Sequence, residues 1–283
     1  MSDSSKIIDG KAVAAKVEAE AAVCVSALKE KGIFPKLVTV LVGQDPASQM
    51  YVRMKHKACE RIGILAENCL LSAEITEKEL LDVIVKLNSD KTVSSILVQL
   101  PLPKHINAQT IMNAVSPLKD PDGFHPLNMG NLMINEEGLV PCTPKGIIRL
   151  LEEYNVDIRG KNAVIVGRSN IVGKPMAAML LNRSATVSIC HTSTKDLKSY
   201  TEGADILIAS AGVKHLIKED MVKSGAVVLD AGINTDSTGT YGDVDFDAVI
   251  SKASLITPVP GGVGPMTIAI LMTHVVKCAE MLM

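Results

Sequence analysis

One lysine lies where a helix should present only core. Residues 48–62 (SQMYVRMKHKACERI) carry a helical pattern, with Ser48 placed to cap its start and Gly63 to end it. At about 3.6 residues per turn, Ser48, Tyr51, Val52, Lys55, Cys59 and Ile62 share an arc of roughly 100°. Arg53, Lys57, Glu60 and Arg61 occupy the opposite side, where charge belongs. An amine held away from water loses the preference for its ammonium form, so a lysine in such a stripe can accept a proton near neutral pH. The competing possibility is a lysine that buries its methylenes and sends its head to solvent.

A second chemistry lies at residues 161–175. The segment KNAVIVGRSNIVGKP joins a short apolar strand, a glycine-bounded turn and a helix start. Gly167 permits the sharp exit from the strand, Gly173 allows close approach of a ligand or of backbone, and Pro175 suits a first helical turn. Exposed N–H groups at such a start attract phosphate. The strict Gly-x-Gly-x-x-Gly pattern is absent, and an ordinary strand-to-helix turn has much the same sequence. The next strand, Thr186–Cys190, runs into His191, Thr192, Ser193, Thr194 and Lys195 without a carboxylate before Asp196. An acidic residue there usually holds the ribose 2′-hydroxyl of NAD. Hydroxyls, a histidine and Arg168 suit a 2′-phosphate instead, so NADP is the expected cofactor.

These residues need a scaffold, and the chain supplies one. Short β-branched runs alternate with helical patterns, the mark of an α/β protein with largely parallel sheets. Helices are expected near Gly10–Lys31 and Thr76–Asn88, and strands at Leu37–Val42, Leu65–Leu70 and Ser95–Val98. Residues 100–144 are rich in Pro, Gly and Asn, which suggests a loop-built cleft and then a hinge. A second unit follows, with Thr143 capping a helix at Pro144–Tyr154 and strands at Ala163–Val166, Thr186–Cys190, Ile206–Ala209 and Ala226–Leu229. A Pro/Gly loop at 258–265 leads into a last apolar helix, Met266–Met281. The expectation is two α/β domains with the active-site cleft between them. Residues 1–139 form a catalytic domain, with helix 265–283 packing back on it, and 140–264 form a Rossmann-like nucleotide domain.

Composition narrows the partners. A net charge of −2 and no long basic run argue against nucleic acid. Apolar stretches are of strand length, so no membrane span is expected, and the N-terminus lacks a signal-peptide pattern. The six cysteines are scattered without zinc-type spacing, and their apolar context suggests reduced core residues of a cytoplasmic protein.

Further candidates sit at strand ends and turns. Gln99 follows a buried strand and precedes Pro101, where a side chain points into a strand-end crevice or satisfies loop backbone. Asp122 precedes Gly123 and could be a turn former or a ligand. Gly261, Gly262 and Gly264 could form a tight turn or let a flat ring approach backbone. His56 projects off the lysine face and His125 has no visible partner; neither is taken as a base.

In combination these segments closely resemble the methylenetetrahydrofolate dehydrogenase/cyclohydrolase family over nearly the whole chain. The resemblance rests on Lys6-Ile-Ile-Asp-Gly10, Tyr51-x-x-x-Lys55, Val98-Gln-Leu-Pro-Leu-Pro103, Asp120-x-Asp-Gly-Phe-His-Pro126, Pro141-Cys-Thr-Pro144, Gly167-Arg-Ser-x-Ile-Val-Gly173 and Pro258-Val-Pro-Gly-Gly-Val-Gly-Pro-Met-Thr267. It implies that Lys55 transfers the proton, Gln99 hydrogen-bonds it, and Tyr51 packs on the pterin and aminobenzoyl system. Asp122 then binds the polar pterin edge, and Ser48, Pro260, Gly261 and Gly262 join the substrate site. Gly167, Arg168, Ser169, Ile171, Gly173, Thr192 and Ile233 fall to the cofactor. Thr192 stands where the family often has serine or arginine, and Pro121 where valine is usual.

The implied reaction has two steps: 5,10-methylenetetrahydrofolate gives hydride to NADP, and water then opens the cationic 5,10-methenyl product to 10-formyltetrahydrofolate. A cationic substrate suits a neutral amine, which accepts a proton from water without repelling the ring. Tetrahydrofolate one-carbon substrates, a homodimer and a role in purine biosynthesis are implied with it. Two alternatives stay open: a shikimate-type two-domain NADP dehydrogenase, which also uses a lysine in its first domain, and a cofactor-binding regulatory module without turnover.

Overall fold

Lys36–Val42 (β1) is aliphatic and β-branched almost throughout, and six of its seven residues are buried. A strand covered on both faces belongs inside a parallel sheet. In the computed structural model of the chain, which describes residues 3–282, β1 is the central strand between Leu65–Leu71 (β2) and Ser95–Val98 (β3), all parallel. Its unit comprises residues 16–140 and 268–282. The helices in order are Gly10–Glu30 (α1), Pro46–Ile62 (α2), Glu77–Ser89 (α3), Ala108–Ala114 (α4) and Pro126–Met133 (α5). Val38, Val40 and Val42 join Leu80 and Ile84 of α3 in one core. Thr39 faces α2, where His56 Nε2 lies 3.2 Å from its hydroxyl. The edge strand β2 is largely exposed.

Local chemistry sets the helix ends. Asp45, not Ser48, caps α2: its carboxylate accepts the Ser48 N–H at 2.7 Å, with Pro46 in the first turn. Ser48 therefore lies inside the helix and is buried. Gly63 ends α2 in the left-handed conformation, at φ 80°. Thr76 and Glu79 form a reciprocal capping box on α3. Residues 100–140, expected as loops, carry α4 and α5. Their turn-type residues act as caps, Asn107 Oδ1 accepting from Gln109 and Thr110 N–H and His125 Nδ1 from Leu127 N–H.

The other unit comprises residues 3–15 and 141–267. Its elements are Cys142–Glu153 (α6), Asn162–Val166 (β4), Gly173–Asn182 (α7), Thr186–Cys190 (β5), Leu197–Thr201 (α8), Ile206–Ala209 (β6), Val227–Asp230 (β7), Asn234–Asp236 (β8), Gly239–Tyr241 (β9), Phe246–Val249 (α9) and Leu255–Ile256 (β10); the last helix, Val263–Met281 (α10), begins here and from residue 268 onward groups with the first unit. Five strands form a parallel sheet in the order β10-β7-β6-β4-β5, and β8-β9 is a small hairpin. After β4 the chain builds β5 on one side and then crosses to β6 on the other. That reversal is the switch point at which doubly wound sheets open a ligand crevice.

Two expectations change here. Thr143 does not cap α6; its hydroxyl pairs with that of Thr267 at 2.9 Å, and the helix starts at Cys142, two residues before the start a cap at Thr143 would give. Residues 3–15 group with 141–267, whereas the sequence pattern assigns them to the first domain. Long-range bonds account for this: the Ile8 N–H donates to the Ile256 carbonyl at 2.9 Å, and Lys6 Nζ to the carbonyls of Ile250 and Ser251.

Candidate active site

The stripe on α2 is open at its chemically important positions. Ser48, Val52, Ala58, Cys59 and Ile62 are buried, yet Lys55 is half-buried and Tyr51 exposed within the same angular sector. Lys55 is therefore neither sealed in a core nor turned away to the solvent face. Its Nζ donates to Gln99 Oε1 at 3.1 Å. Gln99 continues the ladder of β3, its N–H donating to the Val40 carbonyl at 2.9 Å. Its side-chain Nε2 donates to the Leu100 carbonyl at 2.7 Å, which turns Oε1 toward the lysine. An amide oxygen fixes the head of either an amine or an ammonium while leaving the other valences of Nζ for chemistry. His56 is drawn toward Thr39, and burial first and the Lys55 charge second lower its pKa. It does not join the pair.

Two aspartates in the loop before α5 divide their work. Asp120 is buried and accepts from the N–H of Gly123 at 3.0 Å, the N–H of His125 at 2.7 Å and Asn128 Nδ2 at 3.1 Å. Burial, and less so the Asp122 charge, raises its pKa, while its donors oppose the rise. Asp120 is thus the turn former. Asp122 is half-buried, and no hydrogen bond from the described residues reaches its carboxylate. Burial raises its pKa and the Lys55 charge pulls it back. A carboxylate withdrawn from water and left without protein donors is one prepared for donors from elsewhere.

In the other unit, Gly167 leaves β4 at φ 131°, and a Cβ there would overlap the Ser210 carbonyl across the switch point. A Cβ on Gly173 would overlap the Gly167 carbonyl. At these two glycines the backbone approaches too closely for any side chain. Ser169, assigned to the cofactor, spends its oxygen on the N–H of Val172 and Gly173 at 3.1 and 3.3 Å, so only its hydroxyl proton is left for a ligand. Arg168, Ile171, Thr192 and Ile233 are exposed. His191 accepts the Ser193 N–H on Nδ1, and Thr194 closes the same turn. These features fit a phosphate-bearing nucleotide: an exposed cation on a glycine-bounded turn at a helix start.

The Pro/Gly loop belongs to this unit as well. Pro260 is exposed and Gly261 half-buried, but Gly262 is buried with its carbonyl against Gly10, which gives it a packing role. Two acidic residues escaped the sequence pattern altogether, Asp230 and Asp243. Both are buried and gather backbone N–H groups of the loops around the sheet edge. Burial lifts the Asp230 pKa to about 6 against its backbone donors. A strand-ending Asp230-Ala-Gly was the available signal. Of the cysteines, Cys24 is exposed and Cys69 half-buried, so not all are core residues as expected. Burial raises the Cys59 thiol to about 12.

Residues 8–122 match the catalytic domain of the tetrahydrofolate dehydrogenase/cyclohydrolase family, and residues 141–283 match its NAD(P)-binding domain. The bifunctional protein FolD of Methanosarcina mazei is 65% identical over 277 residues, covering 98% of this chain and 96% of its own length. The crystal structure of the bifunctional FolD methylenetetrahydrofolate dehydrogenase/cyclohydrolase from Campylobacter jejuni superposes with TM-score 0.96 at 52% identity, over 98% of this chain and 99% of its own. That of the Trypanosoma brucei methylenetetrahydrofolate dehydrogenase-cyclohydrolase, complexed with NADP and an inhibitor, gives 0.92 at 36% identity over 97% of both. A shikimate dehydrogenase from Aquifex aeolicus shares the architecture alone, at 13% identity, TM-score 0.51 and 80% of this chain.

Proposed function

The chain belongs to the tetrahydrofolate dehydrogenase/cyclohydrolase family, and on that premise we propose how its own residues serve the two reactions. It is a bifunctional enzyme that oxidises 5,10-methylenetetrahydrofolate to the 5,10-methenyl form with NADP and hydrolyses that product to 10-formyltetrahydrofolate. The shikimate-type alternative is set aside, since only architecture is shared.

Lys55 is the proton-transfer residue. As the oxygen of water bonds to the cationic methenyl carbon, Lys55 Nζ accepts one water proton; the remaining hydroxyl proton then passes to N5 as the C=O forms and the bond from that carbon to N5 breaks, which leaves the formyl group on N10. Gln99 holds Nζ in place. The observation that carries this assignment is the Nζ–Oε1 contact of 3.1 Å, with the amide itself anchored on the Leu100 carbonyl. Asp122 takes the amino and ring N–H groups of the pterin, consistent with its lack of protein donors. The exposed ring of Tyr51, one helical turn before Lys55, offers a flat face to the substrate, with Ser48 and Pro260–Gly262 as further contacts.

Gly167, Arg168, Ser169, Ile171, Gly173, Thr192 and Ile233 would hold NADP, with Arg168 and Thr192 toward the 2′-phosphate. When bound, NADP supplies the two-electron acceptor for the oxidation. The proposal extends to a catalytic domain ending near residue 139 and a nucleotide domain over 140–264, with residues 3–15 grouped with the latter, and to a cytoplasmic homodimer serving purine biosynthesis. Among the described residues no helix is long and apolar enough to cross a membrane.

Lys55→Met tests the assignment. It should lower cyclohydrolase turnover by about 10²–10⁴-fold, the usual cost of losing a general base, while both ligands still bind. Hydrolysis of methenyltetrahydrofolate at near wild-type rate would remove Lys55 from the chemistry.

A further inference from the structure

Three loops leave the C-terminal edge of the five-stranded sheet beside its switch point: Gly167–Ser169 after β4, Ser210–Val213 after β6 and Ala231–Ile233 after β7, the last leading into Asn234 at the start of β8. The last two are gathered by a side chain that the reaction does not use. Asp243 is 0% exposed, and its carboxylate accepts from the N–H groups of Ala211, Gly212 and Val213 and from Asn234 Nδ2, at 2.5–2.9 Å. Asp230, at the end of β7, accepts from Gly232, Asp243 and Val244 N–H at 2.8–3.1 Å and so anchors Asp243 itself.

The fit admits nothing larger. A Cβ on Gly232 would overlap the Asp243 carboxylate, and one on Gly242 that of Asp230. On the outer side, Lys214 Nζ bridges to Asp236 at 2.7 Å and lies 3.4 Å from the Tyr241 ring, which fastens the β8-β9 hairpin to the same loop. Loop amides at a strand end have no ladder partner. Drawn onto one buried carboxylate, three consecutive N–H groups and a side-chain amide take a single arrangement. The Ser210 carbonyl, immediately before them, forms the wall facing Gly167.

We propose that Asp243 is a positioning residue for the dehydrogenase step: by drawing in Ala211–Val213 and Asn234 it holds the β6 and β7 walls of the nucleotide crevice in the shape that receives NADP. This rests on the assignment of NADP to that crevice. An Asn at position 243 must turn its NH2 onto some of the four donors, so the loops lose their common anchor while the protein retains its sheet.

Steady-state kinetics of the whole chain read the effect. Asp243→Asn should raise the KM for NADP by about 10- to 100-fold, as expected when a binding wall moves by around an ångström. The KM for methylenetetrahydrofolate and the rate of methenyltetrahydrofolate hydrolysis, which consumes no nucleotide, should stay within about twofold. A lower Tm with an unchanged NADP KM, measured well below the transition, would make Asp243 a stabilising residue only and overturn the proposal. Should that variant fail to fold, Asn234→Ala removes one peripheral donor and should raise the same KM about 3- to 10-fold; no rise there also overturns it. Hydrogen exchange on the wild-type protein tests the premise separately. NADP should slow exchange in 167–173, and no change in that segment would refute the crevice assignment whatever Asp243 does.

Discussion

Asp120→Asn and Asp122→Asn neutralise carboxylates two residues apart and should act on different properties. Asp120 accepts the Gly123 N–H on Oδ1 at 3.0 Å, and the His125 N–H and Asn128 Nδ2 on Oδ2 at 2.7 and 3.1 Å. In either orientation an amide turns its NH2 onto at least one of these donors. A hydrogen bond to a charged acceptor is worth about 1.5–3 kcal/mol, and relief of the buried charge, repelled by Asp122, returns part of it. The net expectation is a loss of about 1–3 kcal/mol, or roughly 2–10 °C in Tm for a chain of this size. Asp122 has no protein donor to lose, so its Asn variant should melt within about 2 °C of wild type. It would keep one acceptor for the pterin and lose the other, charge-assisted bond. At about 1.4 kcal/mol per tenfold, kcat/KM for methylenetetrahydrofolate should fall about 10- to 100-fold with NADP KM unchanged. Thermal unfolding paired with kinetics of both reactions makes the comparison. If Asp122→Asn melts as low as Asp120→Asn and leaves folate kinetics intact, Asp122 shapes the loop and the division of labour is wrong.

Arg168→Ala should weaken NADP about 10- to 100-fold and NAD far less, because it deletes a charge-assisted contact to the 2′-phosphate; equal losses for the two cofactors would place Arg168 elsewhere. Asp230 should leave a mark on the pH dependence of stability. Its pKa in the fold is about 6 against an ordinary 3.8, so its contribution is full below pH 3.8 and is lost as pH rises through 6. Roughly 1 kcal/mol of unfolding free energy should disappear between pH 5 and 7 on this account. Urea titrations at both pH values should show this slope in the wild type and not in Asp230→Asn, and an identical slope in the two would contradict it.

The sequence alone determined the alternation of strands and helices, the helical face carrying Tyr51 and Lys55, and the glycine turn at Gly167–Gly173. Each is a local pattern, set by side-chain periodicity and by which residues tolerate a sharp turn, and neighbouring residues suffice to express it. The resemblance of its motifs named the candidate residues across 283 positions. Tertiary structure decided which of those residues meet. Gln99 reaches Lys55 only because β3 pairs beside β1 under α2, a contact between residues 44 apart that no local rule contains. The cap of α2 passed from Ser48 to Asp45, and the turn role from Asp122 to Asp120, because several polar residues compete for the same N–H groups and backbone angles choose among them. Residues 3–15 crossed to the nucleotide unit through a set of long-range hydrogen bonds from Lys6, Ile8 and Asp9. Asp230 and Asp243 stayed invisible for the same reason. A buried carboxylate owes its place to donors from distant loops, and those are assembled only when the sheet closes.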